Sequence, residues 1–242
     1  MFRVTFALVV VLFGLALGPA VPALRAAEPQ FSDKELVDGF MRTVFGLEYR
    51  TWNWQPYLVK KYNRQVRFHV INLAAKNRTR AVLRFLGSLD GLIRGLNTTV
   101  VSDPQRANFT IFVVDRPQYA TVVRREIYND PKAAVPGRCL VRVLSDAQGI
   151  SASTAVIVSD EGEFLFRRCL IEETLQGLGP MNDDRSLTYS VFNDQSQHSR
   201  FTTFDRFILN MLYHRRIRAG MSKREALAVL PGVVRDVRRY VH

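Results

Sequence analysis

The chain has 242 residues, with 34 Lys and Arg against 22 Asp and Glu, a formal net charge of +12, and 47% hydrophobic residues. This composition excludes a disordered chain, a collagen and a low-complexity array, and two cysteines are too few for a disulfide-dense small scaffold. The length suits one large domain or two small ones, and the charge predicts an anionic partner (nucleic acid or an anionic surface) or no specific partner.

The first 26 residues have the layout of a cleavable secretory signal peptide. Arg3 precedes an apolar run over 6–17, and small residues follow up to a cleavage region around Ala26. A retained membrane anchor is the alternative, although a span needs about 20 apolar residues. Cleavage removes Arg3 and Arg25, so the net charge falls by two, from +12 to +10. We therefore expect a periplasmic or secreted protein with no transmembrane span in the mature chain and no nucleic-acid partner.

The predicted elements of the first two thirds alternate between helices and strands. A helix over 32–45 begins with a capping box formed by Ser32 and Glu35. A strand over 65–72 follows, and then one long amphipathic helix over 76–96. Three further strands are predicted over 108–114, 139–144 and 153–158.

The last third is predicted to be helical. A helix over 164–178 ends at Gly179–Pro180, which is a strong C-terminal signal. Thr203 is predicted to cap the next helix, and Ser222 with Glu225 opens a final helix that Pro231 can bend or interrupt. This order predicts one α+β domain over residues 27–242.

Cys139 and Cys169 are the only cysteines in the chain. In an exported protein they favour a single disulfide between the two positions. A two-cysteine metal site is the alternative, and no CxxC spacing supports it.

The stretch from Cys169 to Asp184 carries the residues that are most informative about function. On a helix, one face would carry Cys169 together with Glu172, Glu173 and Gln176, because these lie three, four and seven positions after Cys169. This polar face is either a solvent-exposed surface, which is the more common case, or the floor of a polar cleft.

The same stretch resembles the zinc-metallopeptidase signature HExxHxxGxxH. Glu172 stands at the first histidine, Glu173 at the catalytic glutamate and Gln176 at the second histidine. Gly179 matches the glycine, and Asn182 stands at the third ligand. Downstream, YSVFND resembles the turn that carries a methionine beneath the metal in metzincins, with Phe192 at the methionine position. This resemblance implies a zincin-like, metzincin-like single domain with a mixed sheet and a degenerate active-site helix.

A more specific resemblance covers the chain from Cys169 to about Leu230. The segments CLIEETLQGLG, SVFND and LYHRRIRAGMSKREAL, with the pair Asn182–Asp183, are similar to exported bacterial proteins catalogued as domain of unknown function 2927. This similarity implies an exported protein and assigns no activity.

The substituted positions are poorly suited to zinc. Zinc peptidases hold the metal with imidazole or carboxylate and use it to activate a water, whereas Gln176 and Asn182 offer neutral amide oxygens. Together with Glu172 they would form an oxygen-only site, which suits a hard cation such as calcium better than zinc. We expect no cofactor and no peptidase activity, and hence a non-catalytic binding or envelope-associated protein.

Two alternatives remain open at this point. An atypical hydrolase could use Glu173 as its catalytic residue, or pair a helix glutamate with Asp183 or Asp184 for acid–base work. A basic stretch could instead bind an anionic envelope component; it contains Arg215, Arg216, Arg218, Lys223 and Arg224. Another exported protein is a further possible partner, and neither the substrate nor the oligomeric state follows from the sequence.

Overall fold

The computed structural model describes residues 30–46 and 57–242. Five strands in these ranges form one mixed sheet in the order β2-β1-β3-β5-β4. Their bounds are Val66–Asn72 (β1), Thr98–Val100 (β2), Phe109–Val114 (β3), Cys139–Asp146 (β4) and Gly149–Val158 (β5). β1 pairs in parallel with β2 and β3, β5 extends the parallel part beside β3, and β4 pairs with β5 as an antiparallel edge.

Helices cover both faces of this sheet. Their bounds are Asp33–Val44 (α1), Thr79–Leu86 (α2), Leu89–Leu92 (α3), Arg116–Val123 (α4), Glu163–Gln176 (α5), Thr203–Leu212 (α6) and Lys223–Val237 (α7). A π-helical segment, Arg124–Tyr128, directly continues α4. The predicted α+β class is therefore confirmed. None of the helices in the described ranges is long and apolar enough to cross a membrane.

The alternation of apolar residues along β3 and β5 explains the two-sided core. Phe109, Ile111 and Val113 point into the larger core, which also contains residues of α1, α5, α6 and α7. Phe112 and Val114 point to the opposite face, where α4 and the π-helical segment cover them. Successive side chains of a strand point to opposite faces, so a strand buried on both faces is apolar at nearly every position, as β3 is.

Both predicted capping boxes are present, at Ser32 with Glu35 and at Ser222 with Glu225. The predicted cap of α6 at Thr203 is one residue too late, because the helix is capped by Thr202, which forms a capping box with Asp205. α7 continues through Pro231 as a single helix.

The single long helix predicted over 76–96 is wrong. The structure has two short helices, α2 and α3, separated at Gly87 and Ser88. The apolar period continued across this break because both short helices bury the same stripe, which includes Val82, Leu86 and Leu89. β2 and α4 were not predicted, since one is only three residues long and the other begins inside a turn-like sequence.

The predicted signal peptide, and the alternative of a retained anchor, lie outside the described residues. The described chain begins at Gln30, and Arg238 after α7 pairs with Asp33 and donates to the Phe31 carbonyl. The start of the described chain is therefore fixed beside the end of the last helix.

Candidate functional site

α5 carries the site and lies between the sheet and the long loop over 181–201. Cys169 is bonded to Cys139 on the edge strand, with their Cα atoms 5.8 Å apart, so the predicted disulfide is confirmed. Every residue from Arg168 to Pro180 is buried. The expectation that the polar face of this helix is solvent-exposed is therefore wrong, because the loop covers the side that the sheet does not.

Three predicted site residues on α5 lie well inside the protein. Glu172, Glu173 and Gln176 are 5%, 6% and 3% exposed. Burying a carboxylate costs several kcal/mol unless it is paired or hydrogen-bonded, so each needs a compensating environment. The alternative of a polar cleft floor fits this burial better than a hydrated surface does.

The partner of Glu172 is Arg168, which the sequence analysis did not identify. The Arg168 Nη2 atom lies 3.0 Å from Glu172 Oε1, and both side chains are more than nine-tenths buried. The spacing of four residues on one helix was the available signal, but exposed pairs at this spacing are common and contribute little.

Arg168 also holds the loop that resembles the metzincin turn. Its Nη2 atom donates to the carbonyls of Val191 and Asn193 at 3.1 and 3.0 Å, and its Nη1 atom donates to Ser196 Oγ at 3.1 Å. The carboxylate of Asp194 lies 3.8 Å from the same guanidinium. One buried cation thus joins α5 to the loop through both of its terminal nitrogens.

The acidic residues around this guanidinium form a compact cluster. Glu172, Asp183 and Asp194 each place a carboxylate oxygen within 4.8 Å of the others, and the cluster runs from the buried Glu172 to the exposed Asp194. Gln176 Nε2 donates to Asp183 Oδ1 at 2.9 Å. Three carboxylates suit a hard cation better than zinc, and the positive charge beside them is Arg168.

Asn182 and Asp184 face α1 and not α5. The Asn182 side chain donates to the Arg42 carbonyl at 2.9 Å, and Asp184 pairs with the Arg42 guanidinium at 2.9 Å. The structure thus brings Asp183 to Gln176, whereas Asn182, the predicted third ligand, lies away from them. Burial raises the pKa of Asp184, but hydrogen bonds from Ser186 and Arg42 outweigh it and hold that pKa below its usual value.

Gly179 has a backbone reason to be glycine. Its φ is +140°, and a Cβ there would collide with the carbonyl oxygen of Lys60. The matching glycine of the metallopeptidase pattern is therefore explained here by a close approach of two backbone segments.

Phe192 fills the core beneath the loop and is fully buried. The loop around it is held by Asp205, which accepts hydrogen bonds from Ser190 Oγ at 2.6 Å and from the Val191 amide at 3.2 Å. Burial raises the pKa of Asp205 to about 6, although these bonds and those from Thr202 lower it. A single carboxylate therefore joins the loop to the N-terminus of α6.

A cleft of about 400 Å³ opens on the outer side of the 182–184 segment. Its lining combines two acids, two bases, an amide and two apolar side chains, namely Asp38, Arg42, Lys223, Asp184, Asn182, Met41 and Phe45. The segment that forms one wall also places Asp183 against Gln176, so the cleft and the buried cluster share a backbone.

The five predicted basic residues are all exposed. They do not surround one point: Lys223 lines the cleft at the start of α7, whereas Arg216 pairs with Asp236 near its end at 3.5 Å. Thirteen residues of helix separate these positions, which is about 20 Å. The basic stretch is therefore spread along α7 and the turn before it.

These features define an α+β protein in which a helix beside the antiparallel edge of a mixed sheet carries a buried arginine–glutamate pair at the inner end of an acidic cluster. A family model described as "Protein of unknown function (DUF2927)" matches residues 33–232, and the chain belongs to this family. No curated protein matches the chain.

Proposed function

We propose that the protein is an exported, zincin-like domain without peptidase activity that acts as a binding or envelope-associated protein. The observation that carries this proposal is the buried ion pair between Arg168 and Glu172, because Glu172 stands where the metallopeptidase signature has its first zinc ligand. The helix that follows β5 and the α+β mixed sheet are compatible with the zincin-like fold.

The guanidinium opposes a metal electrostatically. A dication bound to Glu172 at about 2 Å would lie within about 5 Å of Arg168 Nη2, since that nitrogen is 3.0 Å from the carboxylate. At an effective dielectric constant of 20, the repulsion between charges of two and one at this distance is about 7 kcal/mol. Zinc would have to overcome this repulsion with oxygen ligands alone, because the cluster of Glu172, Asp183 and Asp194 contains no histidine, so we infer that zinc does not bind.

Loss of zinc removes the chemistry of the metallopeptidases. Glu173 stands at the position of the general base, which acts on a metal-activated water. Without the metal, that water keeps a pKa far above neutral, and a carboxylate is too weak a base to deprotonate it. The alternative of an atypical hydrolase that uses Glu173 therefore needs another source of nucleophile activation.

Asp184 is poorly suited to the acid–base alternative. A general acid must carry a proton near neutral pH, whereas the pKa of Asp184 is held below its usual value by Ser186 and Arg42. Asp183 is bonded to Gln176 and belongs to the cluster around Arg168. These contacts support a role in holding the fold.

Binding is proposed to occur at the cleft between α1 and the start of α7. Its open, mixed-charge lining can receive a polar ligand or a segment of another exported protein. The localisation follows from the signal peptide predicted in the sequence, and we propose a periplasmic or secreted protein.

The test is the variant Glu173→Gln, which keeps the size of the side chain, removes the charge and puts an NH2 donor in place of one carboxylate oxygen. We expect no change in the hydrolysis of casein or of a peptide library, because the wild type has no such activity. Arg167→Gln, one residue before Arg168 on an exposed part of α5, is the matched control. Turnover by the wild type that Glu173→Gln abolishes, with an unchanged melting temperature, would establish the hydrolase instead.

A second candidate function is contact with an anionic envelope surface. It is favoured by the exposure of all five basic side chains. The two roles meet at Lys223, which lines the cleft and opens α7, whereas the other four basic residues lie outside the cleft lining.

A further inference from the structure

The outward face of α7 is a stripe that is basic at both ends and apolar in the middle. Arg224, Leu227, Ala228, Pro231 and Arg235 are all exposed. Their spacing of three and four residues places them on one side of the helix. Leu227 leaves 43% of its surface exposed, which is high for a leucine in a helix whose other face packs into the core.

The charge of the chain is concentrated around this stripe. Residues 215–242 contain eight Lys and Arg against two Asp and Glu, a surplus of six that is half of the net charge of the whole chain. Arg224 and Arg235 form no ion pair with a described residue, and neither do Arg215 and Arg218. Such a cluster repels itself, and an anionic partner would relieve that repulsion.

Arg238, unlike Arg224 and Arg235, forms contacts within the protein. It turns inward, pairs with Asp33 at 2.7 Å and lies 5.8 Å from the Phe207 ring centre. Arg238 thus stabilises the fold, whereas Arg224 and Arg235 on the outward face of α7 form no ion pair with a described residue.

We propose that the outward face of α7 docks on an anionic lipid bilayer. Arg224 and Arg235 are eleven residues apart, which is about 16 Å along the helix, so both ends can reach headgroups at once when the helix lies flat. Leu227 and Pro231 then enter the boundary between headgroups and acyl chains. A soluble polyanion would use the arginines and would gain nothing from the apolar centre.

The described chain begins beside the end of α7, because Arg238 holds both Phe31 and Asp33. The proposal deepens the second candidate function and does not depend on whether a metal binds near Glu172.

The experiment uses co-sedimentation with vesicles and the chain beginning at Ala27, which is the expected mature form. The described core lies within residues 30–242, so this form keeps every described contact. We expect binding to mixed phosphatidylcholine–phosphatidylglycerol vesicles and none to phosphatidylcholine alone. Binding should weaken steeply between about 0.1 and 1 M salt, as the Debye length falls from about 10 to about 3 Å.

Two variants separate the charge from the apolar centre. Arg224→Ala with Arg235→Ala should weaken binding to the mixed vesicles by about 25-fold, since each surface arginine contributes about fivefold. Leu227→Ser should weaken it several-fold without changing retention on a heparin column, because heparin offers no apolar phase.

α2 provides a matched control because it has the same residue types on its surface. Arg80, Leu83 and Arg84 are exposed at the same helical spacing and line a separate hollow. Arg80→Ala with Arg84→Ala, and Leu83→Ser, should leave vesicle binding unchanged. Equal losses from the α2 and α7 variants would overturn the proposal, as would an unaffected Leu227→Ser variant, which would indicate a soluble polyanion as the partner. A melting temperature measured for each variant excludes misfolding as the cause of a loss.

Discussion

Replacing Arg168 by methionine tests whether the guanidinium, and not a metal, holds the site together. The variant keeps an unbranched side chain that reaches as far as the Nε position of arginine, and it removes every donor. It leaves Glu172 buried without its cation, and it leaves the carbonyls of Val191 and Asn193 without the donor that reaches both. Breaking a buried ion pair by removing one partner costs about 3–5 kcal/mol of unfolding free energy.

The expected loss is large enough to measure by two methods. In a chain of this size, each kcal/mol corresponds to about 2–4 °C, so the melting temperature should fall by about 10 °C. Urea denaturation should show the loss as a lower midpoint at an unchanged slope. Arg167→Met, on the exposed side of the same turn, should change the free energy by less than about 0.5 kcal/mol.

A double-mutant cycle with Glu172→Gln isolates the pair. Glu172→Gln removes the carboxylate charge, so adding Arg168→Met should cost less than it does in the wild type, with a coupling of about 2 kcal/mol. Calcium should raise the melting temperature of Arg168→Met, because Glu172 and Asp194 then lose the cation they share while three carboxylate oxygens lie within 4.8 Å of one another, and it should leave the wild type unchanged. Additive losses, or an Arg168→Met variant as stable as Arg167→Met, would refute the reasoning.

Three further outcomes follow from other contacts. The pKa of Asp205 is raised to about 6 from 3.8, so the folded state binds the proton of this carboxyl more tightly than the unfolded state does. The stability that results is present at low pH and is lost between about pH 4 and 6. The unfolding free energy of the wild type relative to Asp205→Asn should therefore fall by about 3 kcal/mol over that range in urea titrations, and a flat difference would contradict the raised pKa. Replacing Cys139 and Cys169 by alanine opens a loop with a sequence separation of 30 and should cost about 4 kcal/mol relative to the oxidised wild type. The reduced wild type is the control and should be as stable as the variant; a variant as stable as the oxidised wild type would contradict this expectation. Gly179→Ala should lower the free energy of unfolding by several kcal/mol, because the added Cβ collides with the Lys60 carbonyl. Gly91→Ala is the control, because a Cβ at that exposed position meets nothing within 4 Å. Equal stabilities of the two variants would show that the backbone at Gly179 relaxes.

The sequence was sufficient for the elements that have strong local signals. The capping boxes at Ser32 and Ser222, the strands around Phe109 and Ala155, and the end of α5 near Gly179 depend on neighbouring residues alone. The disulfide between Cys139 and Cys169 followed from the count of cysteines and the expected compartment.

The missed features depend on distant parts of the chain. The helix over 76–96 was predicted as continuous because its apolar stripe continues through the break at Gly87, and the geometry of that break is not encoded in the period. Glu172 and Gln176 looked like a solvent-exposed face because nothing in a helical pattern shows that a loop over 181–201 will cover it. Arg168 could not be distinguished from an exposed basic residue, since its acceptors at Val191 and Asn193 lie more than twenty positions away.

The few acidic residues on and beside α5 share an internal cation. Glu172 and Asp194 share Arg168, while the outward cations of α7 are left for a partner. In this account the acidic cluster with Arg168 stabilises the fold, and the exposed arginines of α7 bind a partner at the surface.

The metal content of the native protein tests the central claim most directly. Protein purified without chelators, and again after dialysis against excess zinc, should contain far less than one zinc per chain by elemental analysis, and its melting temperature should not change with zinc. One equivalent of zinc that is lost in Glu172→Gln or Gln176→Ala would contradict the account, because it would show that the site holds a metal despite Arg168.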